Sequence, residues 1–544
     1  MKIPVGCASF LELCLVFSLL SGVEARAQTD TNAIADGGNS SGYDMAPETR
    51  LEVVQTAVAQ IPSKLPPGPF QPTWESLKAN YRVPQWFGDA KFGLFMHWGL
   101  YSVPAHHNEW YEKHMYTDGA DGGWHVQHYG PQDQFGYKDF IPLFTQSNFN
   151  ADAWAQLFKD SGAKFVIPSA QHHDNFALWD SAATPFNAKK MGPKRDLIGE
   201  LCVAVRKHGL KFGVSNHGIE HFQFINPPAD MAARMKAEHA DLFDPQWVDF
   251  YDVADRSDAA CEKFLVDWYA RNVELIDQYQ PDLLWFDNGV DQRFLDPLKL
   301  RVAAYYYNRA KAWGKEVSIS AKKAAYAPSD RNSQTIGAII DFEKIGARSP
   351  SGIRTGEWEV DDPIGSTWGY TTGEKFQAPG AVIAKLVDTV SKNGTYLLNL
   401  SPKADGTFPP EIVSTLLEVG QWLKLNGEAI YGTHNWTQIG ERGKNAIRFT
   451  VKGDTLYAIV LGNWPASEIM IQSLATTNTS GGQIESVELL GSGRTPFSQE
   501  NGGLKITLPA SAPCKYAYVF KISGLKMNPS SWTDSGNPVA PNSR

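Results

Sequence analysis

The chain has 544 residues, 42% of them hydrophobic, and a formal net charge of −9. That length supports a large buried core and two or three domains. An acidic balance without any basic cluster argues against nucleic acid as the main partner.

Residues 1–27 read MKIPVGCASFLELCLVFSLLSGVEARA. Lys2 precedes an apolar stretch, and Ala25-Arg26-Ala27 fits a small-x-small cleavage site before Gln28. The reading is a signal peptide and an exported, periplasmic or extracellular, mature protein. Glu12 interrupts the apolar run and no comparable run follows, so no membrane span is expected. Cys7 and Cys14 lie in this leader. The remaining Cys202, Cys261 and Cys514 allow one disulfide at most, and no Cys/His spacing resembles a zinc site. Residues 28–67, rich in Ala, Gly, Ser, Thr and Asp, read as a linker with a short helix near 48–61.

From about residue 68 the pattern alternates. Strand-like runs fall at 92–97, 165–169, 212–215, 283–287, 317–321, 338–342, 353–359 and 395–400. Helical patterns at 151–160, 196–207, 261–278, 297–313 and 380–391 lie among them, with Asp196 as N-cap and Gly209 as C-cap of the second. Strand–helix alternation implies a parallel sheet, and eight strands over 68–433 imply an α/β fold, a (β/α)8 TIM-like barrel. The helices between strands five and seven are missing or degenerate, so the barrel should be irregular. A helix at 411–425 follows. Short β-rich runs at 446–451, 456–460, 484–489, 504–507 and 515–520 then predict a C-terminal antiparallel β-sandwich over 434–525. The Ser/Pro/Asn-rich residues 526–544 read as a disordered tail.

The run Leu283-Leu284-Trp285-Phe286 ends in Asp287, Asn288 and Gly289. An ionised carboxylate at the end of a buried strand needs a partner or a task. Catalytic residues of such barrels sit where strands meet their following loops. An Asp that merely caps a turn explains this one position equally well. Other predicted strand ends carry His97-Trp98, His172-His173-Asp174, Asn216-His217, Asp341-Phe342-Glu343 and Glu357-Trp358-Glu359, with Glu109-Trp110 shortly after the first strand. Packing alone does not explain so many His, Trp and acid clusters on one barrel face. Two His and two carboxylates would suffice for a metal. The interleaved Trp residues favour sugar, whose apolar faces stack on rings while paired acids hydrolyse the glycosidic bond. Seventeen Trp and twenty Tyr suit such a cleft as well as a large core.

The segments WFGDAKFGLFMHWGLYSVPAHHNEWY (86–111), AQHHDNF (170–176), PDLLWFDNG (281–289), TWGY (367–370), NGTYLLNLSPKADG (393–406) and WLKLNGEAIYGT (422–433) resemble the α-L-fucosidases of glycoside hydrolase family 29. The resemblance spans about residues 70–433, with motifs in order. It implies a retaining double displacement on terminal α-L-fucose of an oligosaccharide or glycoconjugate, with no metal or organic cofactor. It implies that Asp287 is the nucleophile and that His97, Glu109, Trp110, His172, His173 and Trp285 bind fucose, the two Trp walling the pocket. Glu343, in DFEK, is the preferred acid/base and Glu359 the alternative, with Glu357 third. His217 departs from the commonest family pattern and is either a sugar ligand or a structural residue. Ala321-Lys322-Lys323 occupies the region where the family often has a sugar-contacting Arg, and Lys cannot copy a bidentate contact. The rival readings are an inactive fucose-binding protein and an α-L-galactosidase with a relaxed pocket.

Overall fold

A computed structural model describes residues 47–328, 335–345, 349–442, 446–465, 467–477 and 482–526. The expected signal peptide at 1–27 and all but the first residue of the expected tail lie outside the described residues.

Eight parallel strands close into one barrel: β1 (Phe92–Met96), β2 (Phe165–Gln171), β3 (Lys211–Asn216), β4 (Leu283–Phe286), β5 (Ser318–Lys322), β6 (Ile339–Glu343), β7 (Trp358–Pro363) and β8 (Gly394–Leu400). Closure comes from β1 pairing with β8, Phe95 opposite Asn399. The β1 run is apolar throughout because both its faces are covered. Phe92, Leu94 and Met96 join the layer shared with the helices, whereas Phe95 faces the lumen with Ile167, Leu283, Trp285, Ile339 and Leu397. The helix Gln85–Ala90 adds Phe87 and Ala90 to that lumen cluster. The barrel is thus a packed core with its working face at one end.

Helices Ala151–Asp160, Leu197–Lys207, Asp258–Tyr279, Asp296–Trp313 and Pro379–Ser391 match the periodic stretches of the sequence. The Asp196 carboxylate caps the second by accepting from the Gly199 N–H at 2.8 Å. Among the described residues no helix lies between β5 and β7. Strand β7 runs later than the 353–359 expected. Gly356, at φ +80°, precedes it, and its residues WEVDDP are all buried. Acids on the lumen face disguise this strand, because a buried carboxylate reads as a surface residue in a hydropathy pattern.

The short helix expected near 48–61 is present and packed. The helix Pro47–Gln60 buries Val53, Val54 and Ala57 against the helices Asp258–Tyr279 and Asp296–Trp313. Beyond the helix Pro410–Asn426 come two antiparallel sheets, one of six strands and one of three, forming the β-sandwich. Phe449, Val451, Ile471, Leu504, Ile506 and Phe520 fill the space between them. Arg448 anchors this unit to the barrel helix Pro379–Ser391 by pairing with Asp388 at 2.7 Å, and the Trp422 indole N–H donates to the Ala517 carbonyl at 2.8 Å. Among the described residues no helix is long and apolar enough to cross a membrane.

Candidate active site

The strand ends gather most of the expected residues at one mouth. His97 directly follows β1, and Asn399 on the neighbouring β8 accepts from the His97 backbone N–H at 3.1 Å. The same Oδ1 lies 2.8 Å from His97 Nδ1, which fixes Nδ1 as the donor and leaves Nε2 as an acceptor. His172 and His173 follow β2, and His217 follows β3. The rings of His97, His172 and His217 lie about 5 Å apart, and His172 meets His173 at 4.4 Å. Burial strips charge from this wall. It lowers His97 and His172 well below the ordinary imidazole range and His173 to about 3.

Asp287 follows β4, which ends at Phe286. Gly289, at φ +85°, makes the turn beyond it, and a Cβ there would meet Glu220 Cγ at 2.8 Å. Asp287 Oδ2 accepts from His217 Nδ1 at 2.9 Å and lies 3.6 Å from His173 Nε2. His217 Nε2 then accepts from the Ser215 hydroxyl at 3.0 Å, so both ring nitrogens are engaged. Lys322, the last residue of β5, reaches Asp287 Oδ1 at 3.2 Å. The same ammonium lies 3.5 Å from Glu343 Oε2 and 3.3 Å from Asp361 Oδ2. Burial alone would raise the Asp287 carboxyl. The Lys322 charge and the His217 hydrogen bond outweigh it and hold the group well below the usual carboxylate range.

The alternating residues of β6 and β7 set two carboxyl layers in the lumen. Asp341 pairs in register with Glu359, and Glu343 with Asp361 one layer up. Glu343 keeps 15% side-chain exposure at the mouth. Glu359 is fully buried and accepts from the Ser320 hydroxyl. Burial, then the charges of Asp361 and Glu359, outweigh the opposing Lys322 charge and raise Asp341 well above its ordinary value. Glu359 is lifted to about 8 and Asp361 to about 7, burial again leading. The deeper pair, Asp341 and Glu359, therefore holds its protons more tightly than ordinary carboxyls, whereas Asp287 does not.

Glu109 is buried, and its Oε2 accepts the backbone N–H groups of Trp368 and Gly369 at 3.1 and 3.2 Å. Trp110 presents its ring edge-on to His173 at 5.9 Å and stays partly exposed, as a pocket wall does. Trp285 is not a wall. It is fully buried in the lumen, packed on Phe95 at 4.7 Å and under the His217 ring at 5.2 Å, so it forms the floor. The reason is strand parity: Trp285 points inward from β4, one residue before the mouth.

Three residues of this mouth carried no firm role in the sequence. Lys322 was visible only as a doubtful substitute for Arg. Trp368 lies 5.3 Å from the His97 ring with Lys322 5.1 Å over its face, and only its TWGY motif marked it. Asp361 shares a strand face with Glu359, which an i, i+2 count from Glu359 would have found. Glu357 lies apart, 3.6 Å from Lys91 near the start of β1.

Two donor sets, His97–His172–His217 and His173–His217–Asp287, bring ligand atoms within 4.8 Å of one another. His217 belongs to both, and a cation there would have to break its bonds to Asp287 and Ser215. The donors suit a hydrogen-bonding wall better than a metal centre.

A model of the α-L-fucosidase family matches residues 57–428, and a model of the α-L-fucosidase C-terminal domain matches 441–523. The chain belongs to the α-L-fucosidase family. It is a glycoside hydrolase of that family, with the barrel and the sandwich each matched by its own model. It is 31% identical to the tissue α-L-fucosidase of Homo sapiens over 477 residues, 85% of this chain and 93% of that one. The plasma α-L-fucosidase of Homo sapiens is also 31% identical, over 84% of this chain and 93% of that one. Among solved structures, a Thermotoga maritima α-fucosidase in complex with a mechanism-based inhibitor superposes with a TM-score of 0.66 at 32% identity, covering 83% of this chain and 99% of that chain.

Proposed function

We propose that this fucosidase-family chain is an exported, retaining exo-α-L-fucosidase that releases terminal α-L-fucose from an oligosaccharide or glycoconjugate. The observation that carries the reading is the single ammonium of Lys322 between Asp287 and Glu343, at 3.2 and 3.5 Å. A retaining pair works at about 5–5.5 Å, and carboxyl oxygens at 3.2 and 3.5 Å from one ammonium lie close enough for such a pair. Asp287, ionised, attacks the anomeric carbon and expels the aglycone. Glu343 gives its proton to the leaving oxygen, then takes one from the water that cleaves the fucosyl–Asp287 ester. Glu343 is preferred to Glu359 because a general acid must reach the glycosidic oxygen. Glu343 keeps some exposure, whereas Glu359 has none and is bonded to Ser320. His97, His172, His173 and Glu109 hold sugar hydroxyls, His217 holds Asp287 in place, Trp110 walls the pocket, and Trp285 supports it from below. The mechanism-based inhibitor bound by the Thermotoga maritima relative fits covalent displacement. The leader pattern of residues 1–27 supports export.

Chromogenic α-L-fucoside and α-L-galactoside, assayed side by side with proton NMR of the first-formed sugar, test the reading. Release of the α-anomer of fucose is expected. Binding without turnover would favour the inactive fucose-binding protein, equal galactoside turnover the relaxed pocket, and a β-anomer first product would exclude retention. N-terminal sequencing of the exported protein should begin at Gln28.

A further inference from the structure

The Lys322 ammonium that favours the ionised Asp287 works against Glu343. It lies 3.5 Å from Glu343 Oε2, with both side chains largely buried. An opposite charge that near favours the carboxylate form, and an ionised Glu343 has no proton to give to the leaving oxygen. Asp287 has a second donor in His217 at 2.9 Å, so it stays addressed even where the ammonium is shared. A further charge that draws the ammonium off Glu343 would remove the conflict.

Asp361 stands where that charge is needed. Its Oδ2 lies 3.3 Å from the same ammonium, nearer than Glu343. It is the register partner of Glu343 across β6 and β7, and the Lys344 N–H donates to its carbonyl at 2.9 Å, which locks the pairing. An ammonium has three N–H donors, and three carboxyls meet this one. The rings of Trp285 and Trp368, 5.3 and 5.1 Å from Nζ, keep it there. The groups facing Asp361 are Asp287 from β4, Lys322 from β5, and Asp341 and Glu343 from β6, while Leu397, its partner on β8, is apolar. Among the raised lumen carboxyls Asp361 ionises first: Asp341 is raised well above its ordinary value and Glu359 to about 8, against about 7. Asp361 is fully buried, so its charge acts on its neighbours with little screening. We propose that Asp361 is a positioning residue of the reaction: it engages the Lys322 ammonium and, by its own charge, keeps the catalytic proton on Glu343. The proposal rests on Glu343 as the general acid. One ammonium then serves two acids in opposite states, because His217 backs Asp287 and Asp361 backs Glu343.

The test reads kcat/KM for phenyl α-L-fucoside against pH in the full chain, in Asp361→Asn and in Glu343→Gln. In Asp361→Asn two carboxyls share the ammonium instead of three, and Glu343 loses its anionic neighbour. The alkaline limb should therefore move down by about one pH unit or more, with the loss vanishing at pH values below the shifted limb. Asp361→Glu, which returns a carboxylate, should move the limb back towards its wild-type position. Asp361→Ser carries the same expectation as Asp361→Asn should the amide fail to fold. Glu343→Gln should lack the limb altogether. A limb that persists in Glu343→Gln would overturn the acid assignment and this proposal with it. A limb lost in Glu343→Gln but unmoved in Asp361→Asn, or activity lost equally at every pH in Asp361→Asn, would overturn the proposal alone.

Discussion

Strands β1 to β3 bring imidazoles to the barrel mouth, whereas β5 to β7 bring one ammonium and several carboxyls. Both halves are buried, but burial acts on them in opposite ways. His97, His172 and His173 lose their charge and become neutral donors and acceptors. The carboxyls of Asp341, Glu359 and Asp361 are instead raised, so they take up protons more readily than ordinary acids. Asp287 stands at the seam and is held ionised, because Lys322 and His217 both address it. A wall suited to hydroxyls thus faces a reservoir of protons, with one anion between them.

The sharpest break of that comparison is removal of the seam. Asp287→Gly should lose roughly 10⁴-fold or more in kcat on a chromogenic fucoside, with folding unchanged by circular dichroism. A fluorinated fucoside should label Asp287 in the wild type, and peptide mapping that finds the label on Asp341 or Asp291 would move the seam elsewhere.

On the carboxyl side, Glu343→Ala should cost about 10²–10⁴-fold on substrates with poor leaving groups and much less on activated ones. Added azide should restore rate and yield the α-azide, because it takes the place of water on the fucosyl–Asp287 ester. If Glu359→Ala is rescued and Glu343→Ala is not, the two acids exchange roles.

Replacing the shared cation sharpens the electrostatic half of the picture. In Lys322→Met the depression of Asp287 is relieved, so the acidic limb of the kcat/KM profile moves to higher pH and activity fades earlier on acidification. An unmoved limb would mean that Lys322 does not set the state of the nucleophile. On the imidazole side, His97→Ala should reduce kcat/KM by roughly tenfold, about one hydrogen bond, without moving either limb, because His97 is neutral across the working range.

The smallest expected effect is on stability. Glu359 is raised from 4.5 to about 8, so the folded state holds a proton that the unfolded state releases. Its contribution is complete below pH 4.5 and is lost as pH rises through about 8. Melting temperature should therefore fall between those limits, and Glu359→Gln should flatten the fall. An identical slope in the variant would assign the proton to Asp341 or Asp361.

Most of this architecture was legible from the chain itself. Continuous apolar runs such as Phe92–Met96 reveal strands covered on both faces, and Asp196 and Gly209 bracket a helix. The end of the β4 run marks Asp287, and His97 after β1 with the His172-His173 pair after β2 marks the mouth. The run at 353–359 lies too early for β7 because Glu359 and Asp361 read as surface residues. Trp285 looked like a pocket wall because a sequence shows proximity to a strand end but not depth along it. The roles of Lys322, Asp361, Trp368 and Asn399 were decided only by closure. Asn399 fits an Asn-x-Ser acceptor pattern in the sequence, yet in the barrel it bonds His97 and the Trp368 carbonyl. Local sequence sets strand parity and which residues a strand can offer to one face. Which of those residues meet depends on pairing between strands far apart in the chain, and so does their protonation. A carboxyl's affinity for its proton is a property of the burial and charge that the closed barrel supplies.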